Sequence, residues 1–295
     1  MKAITGGAPS RAIRECMARS KLLRGIIKSE VSQTVIRLVR RRAAVRERWR
    51  FVLAVVLAPS RVVAFRLRGS SIRVLIRPGT RDGDIFDEIF VGERAYEPPP
   101  QAASLLESVH GPLRVLDLGG NVGLFGAFVF NHFGDVDVTS VEPDPANAEI
   151  LARCIASNGL QAKWRLIRAC AGTRPGSVTL EAGRFADSRI VETSEGNVIE
   201  VPQVDVFDLV HDVDLLKMDI EGSEWAILAD DRFRHLDARV TILEWHDYRG
   251  PRAPREVAIR SLVEAGYVVM PSVPSDVFPH GTVWAWRPQI PTRER

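Results

Sequence analysis

The sequence predicts a doubly wound, mostly parallel α/β sheet whose C-terminal edge is antiparallel, preceded by a helical arm and a β-hairpin. Three observations carry this reading. From about Arg114 onward, short apolar runs alternate with helix-length segments. The stretch from Val115 to Gly123, VLDLGGNVG, packs a strand end, a glycine-rich turn and a helix start into nine residues. The last two apolar runs are joined by a loop rich in Pro and Ser instead of a helix, which predicts that they pair antiparallel.

Residues from about Arg11 to Leu57 read as helical. Ile13, Met17, Leu22, Ile26, Ile27, Val31, Val35 and Leu38 recur at helical spacing among arginines. From Val62 the period changes to two: Val63–Leu67 and Ile72–Ile76 alternate apolar and charged residues around Arg68-Gly69-Ser70-Ser71, a β-hairpin signal. The stretch TRDGDIFDEIFVGERAYEPP then runs through a short acidic helix into a Pro-rich connection. Strands are expected at Arg114–Leu118, Val136–Val141, Trp164–Cys170, Val178–Leu180, Leu215–Met218, Val240–Trp245, Tyr267–Met270 and Thr282–Trp286, with helices after most of them. No internal repeat is visible. The division expected is a basic arm over 1–60 and one domain over 61–295 that includes the hairpin.

With 295 residues, 45% hydrophobic and 26% charged, the chain is long enough for one large domain with an appendage. The net charge of +3 hides an uneven distribution: the first fifty residues hold fourteen Lys and Arg against three Glu, so the remainder is net acidic. The arm has three readings: it rests on its own domain, it meets an acidic membrane or partner, or it contacts nucleic acid. Cys16, Cys154 and Cys170 are odd in number, widely spaced and without a C-x-x-C pair, which argues against a disulfide framework or a zinc site and fits a reducing cytoplasm. The longest apolar run, Phe51 to Pro59, falls far short of the roughly 20 residues that span a bilayer, so no transmembrane helix is expected. That run faintly resembles a signal peptide, but it lies fifty residues inside the chain.

Within the turn, Gly119, Gly120 and Gly123 lack a Cβ and let backbone amides approach a ligand, while the start of the following helix, Leu124 to Phe133, offers unpaired N–H donors. Its spacing, Asp117-x-Gly119-x-x-x-Gly123, departs from the G-x-G-x-x-G of a dinucleotide site. A carboxylate at Asp117 repels a pyrophosphate and attracts a cationic amino-acid group, which S-adenosylmethionine carries. The next strand ends in Glu142, followed by Pro143 and Asp144. Glu142 is placed to accept hydrogen bonds from both hydroxyls of a ribose. Its bland alternative is a helix cap, a task for which Asp144 and Asn147 are better placed.

In open α/β sheets ligands lie outside the carboxyl ends of the strands, and here those ends are acidic. Lys217-Met218-Asp219-Ile220-Glu221-Gly222-Ser223-Glu224-Trp225 follows one strand, and Glu244-Trp245-His246-Asp247 ends another. Methyl transfer to a hydroxyl needs a base, and His246 titrates nearest neutrality, so it is the leading catalytic candidate beside a packing or capping histidine. Asp219 and Glu221 are expected to hold substrate hydroxyls and steady a cationic cofactor. Metal ligation with Glu244 and capping of a helix near Gly222 are the other readings, and no metal is expected. Lys217, inside an apolar run, is expected to pair with a buried carboxylate. Ala169 and Cys170 are candidates to bracket an adenine ring, with Cys170 as packing and not a nucleophile. Tyr96 either reaches over the cofactor or packs at the surface.

From about Val62 to Arg287 the chain resembles the FkbM family of S-adenosylmethionine-dependent methyltransferases. The resemblance rests on VLDLGGNVGLFGAF with VEPDPANAEIL, on RDGDIFDEIFVGERAYEPP, and on LLKMDIEGSEWAIL followed by ILEWH. It implies a Rossmann-like fold and O-methylation of a small-molecule, sugar or glycan acceptor, with no cofactor beyond S-adenosylmethionine. By position it implies cofactor contacts at Asp117, Gly119, Asn121, Gly123 and Glu142, and a rim shared with substrate from Asp219 to Glu224. Where relatives carry an acidic residue after the third strand this chain has Gly172, which leaves the adenine contact open.

Two other functions compete. A nucleic-acid methyltransferase would use the basic arm as a clamp, but the acidic rim repels phosphates and an Asn/Asp-Pro-Pro-aromatic segment is missing. A non-catalytic module would bind the cofactor without turnover and dock at a membrane or complex through its arm. The expected setting is the cytoplasm, with peripheral membrane or protein contact through residues 1–60.

Overall fold

The computed structural model describes residues 38–58, 60–91, 96–181, 189–190, 198–247, 250–271 and 280–288. The helical reading of 11–37 with Cys16, Pro59, part of the lead-in to Tyr96, and the Pro- and Ser-rich loop within 272–279 lie outside these residues. Among the described residues no helix is long and apolar enough to cross a membrane.

The arm does not run as one helix to Leu57. Residues 38–44 are helical, the chain then breaks, and α1 (Arg48–Leu57) follows. The break lets Val45 bridge to Leu67 of the hairpin, β1 (Val63–Arg66) and β2 (Arg73–Ile76). Val45 and Phe51 are fully buried in one apolar cluster with Phe65 and Phe86. Arg41 anchors the preceding turn with 2.8 and 3.0 Å contacts to Asp87 and Asp84 on α2 (Arg81–Phe90). Helix α2 starts where Thr80 accepts the Asp82 N–H, and its early Asp82 and Asp84 sit favourably against the helix dipole. After α3 (Pro100–Glu107) the main sheet begins.

That sheet has seven strands. They are β3 (Leu113–Leu118), β4 (Val136–Val141), β5 (Trp164–Ile167), β10 (Val213–Met218), β11 (Ala238–His246), β12 (Val268–Pro271) and β13 (His280–Trp286), in spatial order β12-β13-β11-β10-β3-β4-β5. The order reverses between β3 and β10, the switch point at which such sheets bind ligands. Strands β12 and β13 pair antiparallel as expected, but β13 inserts between β11 and β12, so the one reversed strand lies inside the edge and β12 runs with the rest. Helices α4 (Leu124–Phe133) and α5 (Pro145–Asn158) cover one face. Helices α6 (Glu224–Ala229) and α7 (Pro254–Glu264) pack with the apolar cluster of the other. Along β3, Leu113 and Val115 join the first cluster while Leu116 and Leu118 join the second, so the strand is buried on both faces.

The strand expected at Trp164–Cys170 is two. After Ile167 the chain bends and β6 (Cys170–Gly172) leaves for a second sheet, ordered β6-β9-β7-β8, with β7 (Gly176–Glu181), β8 (Arg189–Ile190) and β9 (Val198–Asp205). Strand β9 reads Val-Ile-Glu-Val-Pro-Gln-Val-Asp, and its polar, half-buried alternation around Pro202 hid it from an apolar-run reading.

Candidate active site

Register brings the acidic residues to one rim. Leu118, Val141, Met218 and Leu243 are linked across four adjacent strands, so the residues beyond them emerge together. Gly119 and Gly120 each donate their N–H to the Val141 carbonyl at 3.0 Å, and Asp219 donates its own to Leu118, which closes the ends of β3, β4 and β10 over one another. Gly119 has φ +84, and a Cβ built there would lie 1.8 Å from the Asp219 carbonyl oxygen. At Gly123 a Cβ would lie 2.6 Å from Leu151 and 3.2 Å from Trp164. The missing Cβ space at these two glycines is taken by neighbouring protein, a packing role beside the amide approach expected from the motif.

Beneath the turn, Asp117 is fully buried. Its Oδ2 accepts the Ser140 hydroxyl at 2.9 Å, and Ser140 accepts the Trp164 indole N–H at 3.0 Å. Burial pushes the Asp117 carboxyl up, opposed by the Lys217 charge and the Ser140 hydrogen bond. Lys217 is the expected buried partner: its Nζ donates to the Gly119 carbonyl at 2.8 Å and lies 3.2 Å from Asp219 and 3.5 Å from Asp117. Burial disfavours its charge, but Asp219, Asp117 and Glu244 hold its pKa above the ordinary lysine value. Asp219 is thus bound to Lys217 and does not cap α6, whose N-cap is Ser223 without a side-chain bond.

Glu142 follows β4 directly and holds backbone amides from two segments. Its Oε2 accepts the Asn121 N–H at 2.7 Å and its Oε1 the Asp144 N–H at 2.9 Å, so it pins the glycine turn to the start of α5. Asp144 is the true cap of α5, accepting from Ala146 and Asn147. Burial raises the Glu142 carboxyl to about 7 against these two amide donors. Ala169 and Cys170 are buried just past β5. Burial and the Glu142 charge push the Cys170 thiol up to about 12, which leaves it inert at neutral pH. Pro143 follows Glu142 at the rim, partly exposed.

The other half of the rim centres on His246. Its Nδ1 lies 3.0 Å from Glu224 Oε1, and its Nε2 lies 3.6 Å from Glu221, 3.9 Å from Asp219 and 3.9 Å from Glu244. Burial alone would lower its pKa, but the hydrogen bond to Glu224 and the charges of Asp219, Glu224 and Glu221 outweigh it and hold the imidazole at about 10. At neutral pH the ring is therefore an imidazolium, not the free base expected from its ordinary value. Glu221 and Gly222 both take left-handed conformations, φ 52 and 92, and the Glu221 strain is of the kind held at functional sites. Tyr96 is buried against Phe125, with its hydroxyl 3.4 Å from Glu244 Oε2, so it joins this acidic half and not the glycine turn.

Ser140 escaped the sequence reading as a site residue, and so did the contact of Glu224 with His246, although the resemblance placed Glu224 on the rim. Ser140 is visible only through strand register with Asp117.

The arrangement fits a cationic nucleoside ligand on its own evidence. Asp117, Asp219, Glu221, Glu224 and Glu244 outnumber the cations Lys217 and His246. Asn121 Oδ1 is buried without a hydrogen-bond partner, which costs roughly 1–3 kcal/mol unless a donor arrives, and Asp117 Oδ1 makes no hydrogen bond but faces the Lys217 ammonium at 3.5 Å. Asp219, Glu221 and His246 also offer ligand atoms within 4.8 Å of one another, a spacing that a metal ion would accept.

No curated protein matches the chain. In fold it is similar to a methyltransferase FkbM from Methylobacillus flagellatus KT, with 16% identity, a TM-score of 0.44, and coverage of 66% of this chain and 50% of that one. It is also similar to a precorrin-6y C5,15-methyltransferase from Geobacter metallireducens GS-15, with 14% identity, a TM-score of 0.38, and coverage of 63% and 85%. A third is TrmK of M. capricolum, solved with S-adenosyl-homocysteine, at 10% identity, a TM-score of 0.38, and coverage of 64% and 69%. The methyltransferase FkbM domain matches residues 117–269, from the buried Asp117 past the His246 rim to the edge strand, and over that span the chain belongs to the FkbM family of S-adenosylmethionine-dependent methyltransferases.

Proposed function

We propose that this protein methylates a hydroxyl oxygen on a small-molecule, sugar or glycan acceptor, using S-adenosylmethionine. The observation that carries the reading is the cage of Asp219, Glu221 and Glu244 around a protonated His246 beside the Asp117 and Glu142 turn. Asp117, Asn121 and the glycine turn would hold the amino-acid end of the cofactor, and Glu142 the ribose, with Ala169 and Cys170 beside the adenine. When bound, S-adenosylmethionine supplies an electrophilic methyl carbon on a sulfonium.

The residues of the chain do the rest. Glu221 and Asp219 accept the hydrogen bond of the acceptor hydroxyl and take its proton, which becomes strongly acidic as the oxygen is alkylated. His246 attracts those carboxylates by its charge from 3.6 and 3.9 Å and is itself fixed by Glu224. The carboxylate excess stabilises a sulfonium and repels phosphates, which favours a neutral hydroxylated acceptor over nucleic acid.

The test is calorimetry with S-adenosyl-homocysteine, followed by transfer of a labelled methyl group to hydroxylated, amino and RNA acceptors. Binding, with label in a base-stable ether, is the expected result. Absence of any affinity overturns the cofactor assignment, label entering only RNA overturns the small-molecule, sugar or glycan acceptor, and label entering only amines overturns O-methylation.

A further inference from the structure

Helix α1 is two-sided in an unusual way. Phe51 is fully buried, 4.9 Å from the Phe65 ring centroid. On the far side, Trp49, Leu53, Val56 and Leu57 are 73%, 57%, 65% and 75% exposed. Their spacing of i, i+4, i+7 and i+8 gathers them within roughly 100° of one helix face. They are four of the eight exposed large apolar residues among the described ones, and their shared helix face makes them a patch and not scatter.

The patch is framed by arginines. Arg48 and Arg50 project from either flank of the stripe, and Arg46, Arg48, Arg50, Arg61 and Arg68 are all exposed. Two residues before α1, Arg46 opens a cleft of about 630 Å³ lined also by Arg66, Arg68, Arg73, Ser70 and Ser71. Arg66 has Glu47 at 3.7 Å and Arg73 donates to the Ser157 carbonyl, but among the described residues no carboxylate pairs with Arg46 or Arg68. Cleft and stripe are welded together: Arg46 N–H donates to the Arg66 carbonyl and Arg68 N–H to the Ala44 carbonyl, both at 2.8 Å.

This platform stands apart from the catalytic rim. Helix α5 starts beside Glu142 and ends at Asn158, whose side chain accepts the Arg73 N–H at 2.7 Å. Its 14 residues put about 20 Å between rim and cleft.

We infer that the exposed stripe of α1 and the arginine cleft beside it form a docking surface for an anionic phospholipid bilayer. The stripe lies in the acyl boundary, and the cleft takes a lipid phosphate with its serine hydroxyls and arginines. An exposed apolar stripe flanked by arginines is the composition of helices that lie in the membrane interface. Nucleic acid matches the arginines but offers nothing to Leu53, Val56 and Leu57.

Flotation of the full-length protein with vesicles decides it. The pair Arg46→Gln/Arg68→Gln and the pair Leu53→Gln/Leu57→Gln are exposed, lie outside the catalytic machinery, and are accepted only if S-adenosyl-homocysteine affinity is unchanged. The wild type should float with phosphatidylglycerol-containing vesicles at least tenfold better than with phosphatidylcholine alone. The arginine pair should lower that partition tenfold or more. The leucine pair should abolish the fraction of binding that survives high salt. The inference is overturned if the wild type ignores anionic vesicles, or if both pairs bind them like the wild type. It is equally overturned if inorganic phosphate or RNA is bound in a manner sensitive to Arg46→Gln/Arg68→Gln while vesicles are not.

Discussion

Glu224 Oε1 receives the Nδ1 side of His246 at 3.0 Å and the His246 backbone N–H at 2.8 Å, so one buried oxygen fixes both the ring and the strand that carries it. The other oxygen of Glu224 accepts the Gly222 N–H at 2.8 Å, which ties the same carboxylate to the Asp-Ile-Glu-Gly turn. The residue is fully buried, so removing it leaves His246 and Gly222 without their acceptor inside the protein.

Glu224→Ala should therefore cost about 3–5 kcal/mol of stability, the scale for breaking a buried ion pair. Glu224→Gln keeps an acceptor and should cost less. In Glu224→Gln the His246 pKa should fall from about 10, since its hydrogen-bonded charge is the first support against burial. NMR titration of the His246 ring reads this directly; an unmoved pKa would show that the carboxylates on the Nε2 side hold the proton unaided.

The protonation of His246 sets a pH test of the mechanism. If Glu221 or Asp219 takes the proton, kcat is flat from about pH 7 to 9, because the imidazolium with its pKa near 10 is retained. If neutral His246 is the base, kcat instead climbs about tenfold per pH unit across that range. Stability follows the same group with a definite sign. The folded pKa is raised above about 6.5, so the contribution of His246 is complete below that pH and is lost as pH rises through about 10.

Glu142 makes cofactor affinity pH-dependent in the opposite sense. Its carboxyl titrates near 7 in the folded protein, and the ionised form accepts from ribose hydroxyls more strongly than the neutral acid does. Affinity for S-adenosyl-homocysteine should rise from pH 6 to pH 8 and level off, and Glu142→Gln should flatten that rise while weakening binding. For stability the raised pKa works against the fold: its contribution is complete below about 4.5 and is lost as pH rises through about 7. Calorimetric affinities at three pH values, with and without the substitution, test the pairing.

Asp219, Glu221 and His246 are spaced to accept a metal, yet the Nε2 proton of His246 already faces these carboxylates. Any divalent ion there must displace that proton. Enzyme dialysed against EDTA should keep its methyl-transfer rate, and millimolar Mg²⁺ should leave its melting temperature unchanged. A rate that collapses with EDTA and returns with one particular ion would replace the proton-cage reading with a metal centre.

The parts of the site legible in the sequence were those fixed by strand ends. Asp117, Glu142, Asp219, Glu244 and His246 all lie within two residues of a strand's carboxyl end, and a parallel sheet delivers such residues to one rim whatever the details of packing. What escaped depended on three-dimensional neighbours. The shift of His246 to about 10 needs Glu224, Asp219 and Glu221 from a different strand end, and no local window shows Glu224 beneath the ring. The break at Val45 was hidden because helical spacing continues through it, while the gain comes from bridging Leu67, 22 residues further along the chain, and not from local propensity. Strand β9 was lost because a half-exposed strand in a small sheet carries no long apolar run.

The glycine turn offers the cleanest separation of backbone strain from packing. Gly119 and Gly111 both have left-handed φ, +84 and +88, so alanine at either costs about 1–2 kcal/mol in conformation alone. At Gly111 nothing lies within 4 Å of a built Cβ, whereas at Gly119 the Asp219 carbonyl stands 1.8 Å away and is part of the β10 backbone rim. Gly111→Ala should lower the melting temperature by a few degrees and leave cofactor binding intact. Gly119→Ala should push the ends of β3 and β10 apart, moving Asp219 off Lys217, and should lose S-adenosyl-homocysteine binding as well as several degrees more of stability. Thermal unfolding and calorimetry on the two variants side by side check this. Equal losses in both would mean that φ strain, and not the close approach of Gly119 to Asp219, is what the motif protects.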